Sequence, residues 1–293
     1  MTSDRADLER QLWRAVEAVH AVVYFAPEAK AAYAGVGLRG FWMGYFASRV
    51  AALGAVGPQV TTALFFGFAP RMVQRALPRA WELAAPHEVL AARAEVARTV
   101  LGRFAGVDVA PAANALTAAA DGLDLAGRPL AAAHAAALAE GPDALGALWR
   151  AATVLREYRG DGHIAALVAE GVDGVQANVW TAAGGVLVPE QREFRGWTEQ
   201  EWAGAAAALR RRGWLDGDGM LTPAGREVRA EVERRTDRAA APALARLDDA
   251  ALRAVAARLV PVASAIAQAG AVPYPNAMGV PAPRAISAAP AGS

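Results

Sequence analysis

The segment spanning residues 198–238 constrains the fold of this chain more than any other part of the sequence. Thr198 is followed three residues later by Glu201, which is the pattern of a capping box at a helix N-terminus. Gly213 is placed to end that helix. Two short apolar segments then flank the aspartate- and glycine-rich stretch Asp216–Gly219, which is typical of a β-hairpin.

A further helix is predicted directly after this hairpin. Thr222 is a good N-cap residue, and Pro223 occupies the favoured first helical position. A helix, a hairpin and a helix in this order form the second half of a winged helix-turn-helix. We therefore predict a mainly α fold, in which a multi-helical N-terminal body is joined to a C-terminal winged helix-turn-helix bearing a short β-hairpin.

The remaining chain is punctuated by glycine and proline between helical apolar patterns. We expect residues 1–140 to form the helical body with a ligand pocket. Residues 141–270 would form the winged-helix region with its flanking helices, and residues 271–293, rich in Pro, Ala, Gly and Ser, a disordered tail. The stretch Arg159–His163 contains two glycines, and we expect it to interrupt a helix there.

Composition excludes several classes of protein. The chain has no cysteine, which excludes disulfides, thiolate metal sites and cysteine nucleophiles. The uncharged stretch Val50–Pro70 is broken by Gly57 and Pro58, so we predict no membrane span and a cytoplasmic protein. No phosphate-binding glycine loop and no HExxH spacing is present, and enzymatic activity is therefore not the favoured interpretation.

Charge is the main argument against a simple DNA-binding interpretation. The net charge is +1, and between Arg192 and Arg238 ten arginines face nine carboxylates, a surplus of one. DNA binding depends on neutralising several phosphates. The residues that could do so are Arg210, Arg211, Arg212 and Arg226. The alternative is that these arginines belong to solvated helix faces.

Two strings in this region resemble MarR-type regulators, namely Leu209–Leu215 and Leu221–Arg226. The resemblance covers about forty residues. It implies a helix that enters the major groove and a β wing that follows it. Two features depart from the pattern: the wing is short and carries Asp216 and Asp218, and the predicted recognition helix begins with glutamates and alanines.

Almost the whole chain also resembles a group of actinobacterial helix-turn-helix or MarR-like proteins. The strings that carry this resemblance are His20–Glu28, Gly37–Trp42 and Arg156–His163. The resemblance implies the fold and does not imply an activity.

Aromatic and polar residues alternate in the first seventy residues. His20 and Tyr24 are four apart and share a helix face, while Trp42, Tyr45 and Arg49 occupy neighbouring turns of a later helix. Aromatic side chains together with one or two cationic side chains are typical of the walls of a pocket for a small planar or anionic ligand. An aromatic core is the alternative.

Asp161 and His163 are the second candidate pair. They could orient one another for acid–base work, or bind a metal or haem iron with His20. Alternatively, Asp161 caps a helix that begins after Gly160. The residues specify no metal site and identify no cofactor.

Two functional hypotheses follow from the sequence. The first is a MarR-like transcriptional regulator whose helical body senses a small ligand and whose winged helix binds DNA. The alternative is a helical protein or enzyme that binds a small molecule, haem or metal and uses the winged helix for dimerisation or as a lid.

Overall fold

The computed structural model describes residues 3–104, 106, 108–137, 143–185, 188, 190–276, 278, 279, 282 and 283. Within these residues the chain is mainly helical, which confirms the predicted fold class at that level. The α-helices are α1 (Ser3–Phe25), α2 (Pro27–Gly35), α3 (Gly40–Val50), α4 (Pro58–Phe65), α5 (Pro70–Ala76), α6 (Arg79–Leu83), α7 (Pro86–Gly102), α8 (Ala110–Asp121), α9 (Pro129–Ala137), α10 (Ala144–Ala169), α11 (Gly174–Ala183), α12 (Gln191–Phe194), α13 (Glu199–Arg211), α14 (Pro223–Ala240) and α15 (Asp249–Gln268).

Prolines mark the beginnings of several helices. Pro27, Pro58, Pro70 and Pro86 each occupy the first helical position, where the missing N–H would lack an intrahelical partner in any case. The apolar run Val60–Phe68 lies largely in α4.

A large apolar core occupies most of the molecule. α1 runs through it and packs against α15, α10 and α7. Leu12, Phe46, Trp149 and Leu259 are among its fully or almost fully buried side chains. Many of the other residues in this core are alanines. They let the helices approach closely, and the larger side chains fill the core.

A second, smaller core lies beyond the end of α10. It is formed by the last turns of α10 with α11, α13 and α14, and its buried side chains are Ala166, Leu167, Val172, Val179, Trp180, Ala205, Leu209, Trp214, Leu215 and Val232. The larger core takes residues from both sides of position 140.

α10 corrects the prediction of an interrupted helix. It continues without a break from Ala144 to Ala169, through both Gly160 and Gly162. Gly162 lies close to its neighbours: a Cβ atom there would lie 2.2 Å from Nη1 of Arg128 and 3.2 Å from the Cβ of Ala239, so both would have to shift. The glycine therefore permits close approach and does not end the helix.

The predicted β-hairpin is reduced to a single antiparallel bridge between Leu215 and Leu221. No strand is assigned in the described residues. Only five residues separate the two bridged positions, and the N–H of Thr222 donates to the carbonyl of Trp214 just outside the bridge (3.1 Å). The ladder extends no further because the end of α13 at Gly213 and the beginning of α14 at Pro223 lie directly outside the bridge.

The C-terminal end of the chain is partly structured. Ala271 and Val272, with which the predicted disordered tail begins, are buried in the larger core, and Asn276 is also buried. Residues 277, 280, 281 and 284–293 lie outside the described residues.

One helix among the described residues, α15, is long and apolar enough to span a membrane. Helices in the cores of globular proteins meet the same criterion. Leu252, Leu259 and Ile266 on α15 are completely buried against the larger core.

Candidate functional site

The part of the chain formed by α11, α13, the turn after α13 and α14, here called the helix-turn-helix unit, is centred on two stacked tryptophans. The rings of Trp180 on α11 and Trp214 after α13 lie 4.9 Å apart with an interplanar angle of 20°. Leu209, Leu215 and Val232 complete the smaller core around them. This packing fixes α13 and the turn after it relative to α11 and α14.

Both ends of α13 follow the sequence prediction. Oγ1 of Thr198 accepts from the Glu201 N–H at 3.2 Å, and Oε2 of Glu201 accepts from the Thr198 N–H at 2.8 Å. Gly213 after the helix has a φ of +73°, which suits glycine and not a side chain. The capping box read from the sequence is therefore present.

The turn after α13 is held by its own acidic side chain. The carboxylate of Asp216 accepts from the N–H groups of Asp218 (3.0 Å) and Met220 (2.9 Å). The Asp216 N–H in turn donates to the carbonyl of Met220 at 3.0 Å. Asp216 thus has a structural role in this turn, besides placing negative charge near its tip.

The four arginines predicted to bind DNA surround this turn and are exposed: Arg210, Arg211, Arg212 and Arg226. Arg210 donates through Nε to the carbonyl of Asp216 (2.9 Å), and Arg226 donates to the carbonyl of Leu221. Each guanidinium has five N–H donors, so these contacts leave most of its donors available for a phosphate.

The other two candidates differ from one another. Arg212 donates to the carbonyls of Glu170 (2.8 Å) and Gly171, and its guanidinium lies 3.5 Å from the ring centroid of Trp214. Arg211 is exposed and has no hydrogen bond or ion pair within the described residues. Arg211 can therefore be changed without disturbing an internal contact.

The N-terminal turn of α13 is attached to the helical body. Arg71 on α5 forms an ion pair with Glu201 and also donates to the carbonyl of Gly196. The hydrogen bond from Arg71, followed by that from the Thr198 N–H, lowers the pKa of Glu201 to about 2. Sequence analysis did not identify Arg71, whose partner lies 130 positions away.

A cleft of about 780 Å³ lies where the helical body meets the helix-turn-helix unit. Of the predicted ligand residues, Tyr45, Arg49 and His163 line it. Its other lining residues include Arg10, Trp13, Arg14, Glu17, Phe65, Phe66, Gly67, Arg156, Arg159, Asn178, Trp180, Gln191, Arg195, Arg229, Glu233, Arg234 and Asp237.

Arg49 is held in the cleft wall by a buried ion pair. Its Nε and Nη2 donate to the two carboxylate oxygens of Glu157 at 3.0 and 2.9 Å, and its Nη1 donates to the Tyr45 hydroxyl at 3.2 Å. Arg156 donates to the same carboxylate at 2.7 Å. Despite its burial, the pKa of Glu157 lies well below its usual range because Arg156 and Arg49 are adjacent.

His20 and Tyr24 lie behind this wall and do not line the cleft. Arg93 donates to the Tyr24 hydroxyl at 2.7 Å, and the hydroxyl lies 3.0 Å from Nε2 of His20. Nδ1 of His20 is 3.1 Å from Oγ1 of Thr153. Since arginine can only donate, the Tyr24 hydroxyl oxygen is the acceptor of the hydrogen bond from Arg93. Burial lowers the pKa of His20 well below its usual value.

Asp161 and His163 are two positions apart in the sequence but have separate partners. The Asp161 carboxylate accepts from the N–H groups of Leu130 (3.0 Å) and Ala131 (3.1 Å) at the beginning of α9. Burial raises the pKa of Asp161 to about 6. His163 contacts Oγ1 of Thr236 through Nδ1 at 2.9 Å. Asp161 therefore caps a helix, although a different one from that predicted.

Trp42 lies in an aromatic cluster away from the cleft. Its ring lies 5.9 Å from that of Phe46 and 5.7 Å from that of Phe68, and it meets Tyr45 edge to face at 5.8 Å. Trp42 thus supports Tyr45 from behind.

The metal alternative has no support in the geometry. Among the described residues no group of three or more His, Asp or Glu side chains is placed to hold a metal ion. His20 and His163 in particular have different hydrogen-bonding partners, on α10 and α14 respectively.

Comparison with known proteins gives one positive result. A family model described as a helix-turn-helix family matches residues 9–273, which is most of the chain and includes both cores. No curated protein and no solved structure matches the chain. The extent of the family match shows that the chain belongs to this helix-turn-helix family.

Proposed function

We propose that this protein is a MarR-like transcriptional regulator that binds DNA through the helix-turn-helix unit and senses a small ligand in the cleft beside it. The family match over residues 9–273 carries the proposal, because helix-turn-helix units in general bind DNA. The exposed arginines around the turn after α13 support it. The proposal places the protein in the cytoplasm.

The charges around α13 indicate which part of the unit would meet DNA. Glu199 and Glu201 lie in the first turn of α13, and Glu201 is paired with Arg71. Arg210 and Arg211 lie in the last turn. Phosphates would therefore be bound near the C-terminal end of α13, and contacts to the DNA backbone would outweigh contacts to base edges.

An electrophoretic mobility shift with a duplex from the gene's own upstream region, at low salt, tests DNA binding. We expect a shift that is weakened when Arg210, Arg211 and Arg212 are replaced by alanine. Because Arg212 contacts Glu170 and Trp214, the circular dichroism spectrum of this variant must be compared with that of the unmodified protein. The absence of any shift, or a shift unchanged by the three substitutions, contradicts the proposal.

A second candidate function is favoured by the cleft itself. Trp180 and Arg229 from the helix-turn-helix unit form one of its walls, so the unit would act as a lid over a small molecule bound by the helical body. This protein would be a helical ligand-binding protein or an enzyme, with or without dimerisation through the unit. This second function is favoured if the protein binds a small ligand and does not shift the DNA duplex in the mobility assay.

A further inference from the structure

The cleft at the junction of the two cores has a surplus of positive charge. Arg10 and Arg234 at its margin are paired with carboxylates elsewhere, Arg10 with Asp7 and Arg234 with Glu227 and Glu231. The other six arginines that line the cleft outnumber the four carboxylates beside them, of which three line the cleft and one is the buried Glu157. These ten residues are Arg14, Arg49, Arg156, Arg159, Arg195 and Arg229, with Glu17, Glu157, Glu233 and Asp237.

Arg229 is the arginine in the cleft that is best placed to bind a ligand. It lies on α14, is half-buried, and has no hydrogen bond or ion pair within the described residues. Burial lowers its pKa, and the carboxylate of Glu233 only partly offsets this effect. A cation kept in this position without a direct partner is stabilised by a bound anion.

Apolar side chains line the cleft from both sides. Trp13 and Phe65 line it from the helical body, and Ile164 and Trp180 line it from the side of the smaller core. The indole N–H of Trp180 is buried and has no acceptor in the part of the chain that the structure describes. An aromatic ligand would pack against the apolar side chains of this lining.

The backbone at the cleft is strained. Phe66, at the end of α4, has a φ of +49° and is the one non-glycine residue with a positive φ in the described residues. Gly174 packs on its carbonyl so closely that a Cβ atom would lie 2.0 Å from the oxygen. Strained backbone in proteins concentrates at ligand-binding sites.

We propose that this cleft binds an organic anion with an aromatic or otherwise apolar body and one or two acidic groups, whose negative charge is bound by Arg229. A volume of about 780 Å³ lies in the range of small-molecule sites. The site uses Arg49 and Tyr45 from the helical body and Arg229 and Trp180 from the helix-turn-helix unit. It would be the ligand site of the proposed regulator, and in that sense the inference rests on the proposed function.

A pair of fluorescent probes tests the proposal on the full chain without DNA. 8-Anilinonaphthalene-1-sulfonate carries a sulfonate, and N-phenyl-1-naphthylamine has the same aromatic body without it. We expect saturable binding of the sulfonate at one site and much weaker binding of the amine. Arg229→Met should weaken sulfonate binding about tenfold and leave amine binding unchanged, since it removes the charge-assisted hydrogen bonds to the sulfonate.

Two control variants separate specific binding from general attraction. Arg229→Lys retains the charge and should retain most of the affinity. Arg79→Gln removes an exposed charge outside the cleft and should leave the affinities of both probes unchanged. Equal affinity of the sulfonate for Arg229→Met and the unmodified protein contradicts the proposal, as does equal affinity of the two probes.

If Arg229→Met does not fold, a probe-displacement experiment on the unmodified protein tests the proposal. Naphthalene-2-sulfonate should displace the bound probe from the unmodified protein, and the uncharged 2-naphthalenemethanol should not. Equal displacement by both contradicts the proposal. A protein that binds the sulfonate at Arg229 but shifts no DNA would refute the regulator and leave the anion site intact, whereas the reverse result would refute the anion site alone.

Discussion

At the scale of single residues, buried ionisable side chains are concentrated around Glu157. Its carboxylate is completely buried and binds both Arg49 and Arg156. Removing one partner from such a pair leaves an uncompensated charge, which typically costs several kcal/mol. The sequence could not predict this cluster, because Arg49 and Glu157 are 108 positions apart and Glu157 occurs in an ordinary helical pattern.

His134 is a buried histidine that stays neutral near pH 7. Its Nε2 donates to the carbonyl of Arg49 at 3.1 Å, and Nδ1 has no partner in the described residues. Burial, aided by Arg93, lowers the pKa of His134 from 6.5 to about 4. The sequence around His134 is mostly alanine and gave no indication of this contact.

Replacing His134 should change how stability depends on pH. Between pH 6.5 and about 4 the unfolded chain binds a proton at His134 that the folded protein does not, so stability falls as the pH falls. At pH 5 this loss is about 2 kcal/mol. We expect His134→Gln to show a correspondingly smaller decrease in the free energy of unfolding between pH 7 and pH 5, measured by urea denaturation.

The exposed His87 provides the matched control. His87→Gln should leave the decrease between pH 7 and pH 5 as it is in the unmodified protein. If His134→Gln and His87→Gln give the same pH dependence, burial of a neutral His134 is not the cause of the effect.

At the element scale, close backbone contacts hold the helix-turn-helix unit together. Gly225, in the first turn of α14, lies against the carbonyl of Trp214, and a Cβ atom there would be 2.1 Å from that oxygen. Gly204 on α13 has nothing within 4 Å of the corresponding position. The two glycines look alike in the sequence but have opposite environments.

Alanine substitutions at these two glycines should have opposite effects. Gly225→Ala forces α14 away from the turn after α13, and we expect a loss of about 2 kcal/mol in the free energy of unfolding. Gly204→Ala should raise it by up to about 1 kcal/mol, since alanine is the better helix former. Urea denaturation measures both, and equal effects of the two substitutions would show that the predicted contact at Gly225 is absent.

The boundaries of most helices could be predicted from local signals. Prolines at first positions and the capping box of α13 depend on residues a few positions apart, and the structure contains both. The predicted interruption of the helix between Arg159 and His163 was wrong. Gly162 lies within a continuous helix and packs against Arg128 and α14. A sequence does not distinguish a glycine that ends a helix from one that makes room for a neighbour.

At the scale of the whole molecule, α10 links the two cores. Leu148 and Leu155 near its beginning belong to the larger core, and Ala166 and Leu167 near its end belong to the smaller one. The cleft lies beside this helix and takes residues from both parts of the chain. Three of the predicted ligand residues line it, but most of the arginines around it, Arg229 included, were not identified, because only the fold brings them together.

The salt dependence of DNA binding tests the central claim most directly. Fluorescence anisotropy of a labelled upstream duplex gives the association constant at several salt concentrations for the unmodified protein, for Arg211→Ala and for Lys30→Ala, which removes an exposed charge on α2. Each phosphate contact contributes about 0.9 to the slope of log K against log salt. We predict that Arg211→Ala makes the slope shallower by about that amount and that Lys30→Ala leaves it unchanged; no binding of the duplex, or equal slopes for all three proteins, would contradict the claim that the helix-turn-helix unit binds DNA.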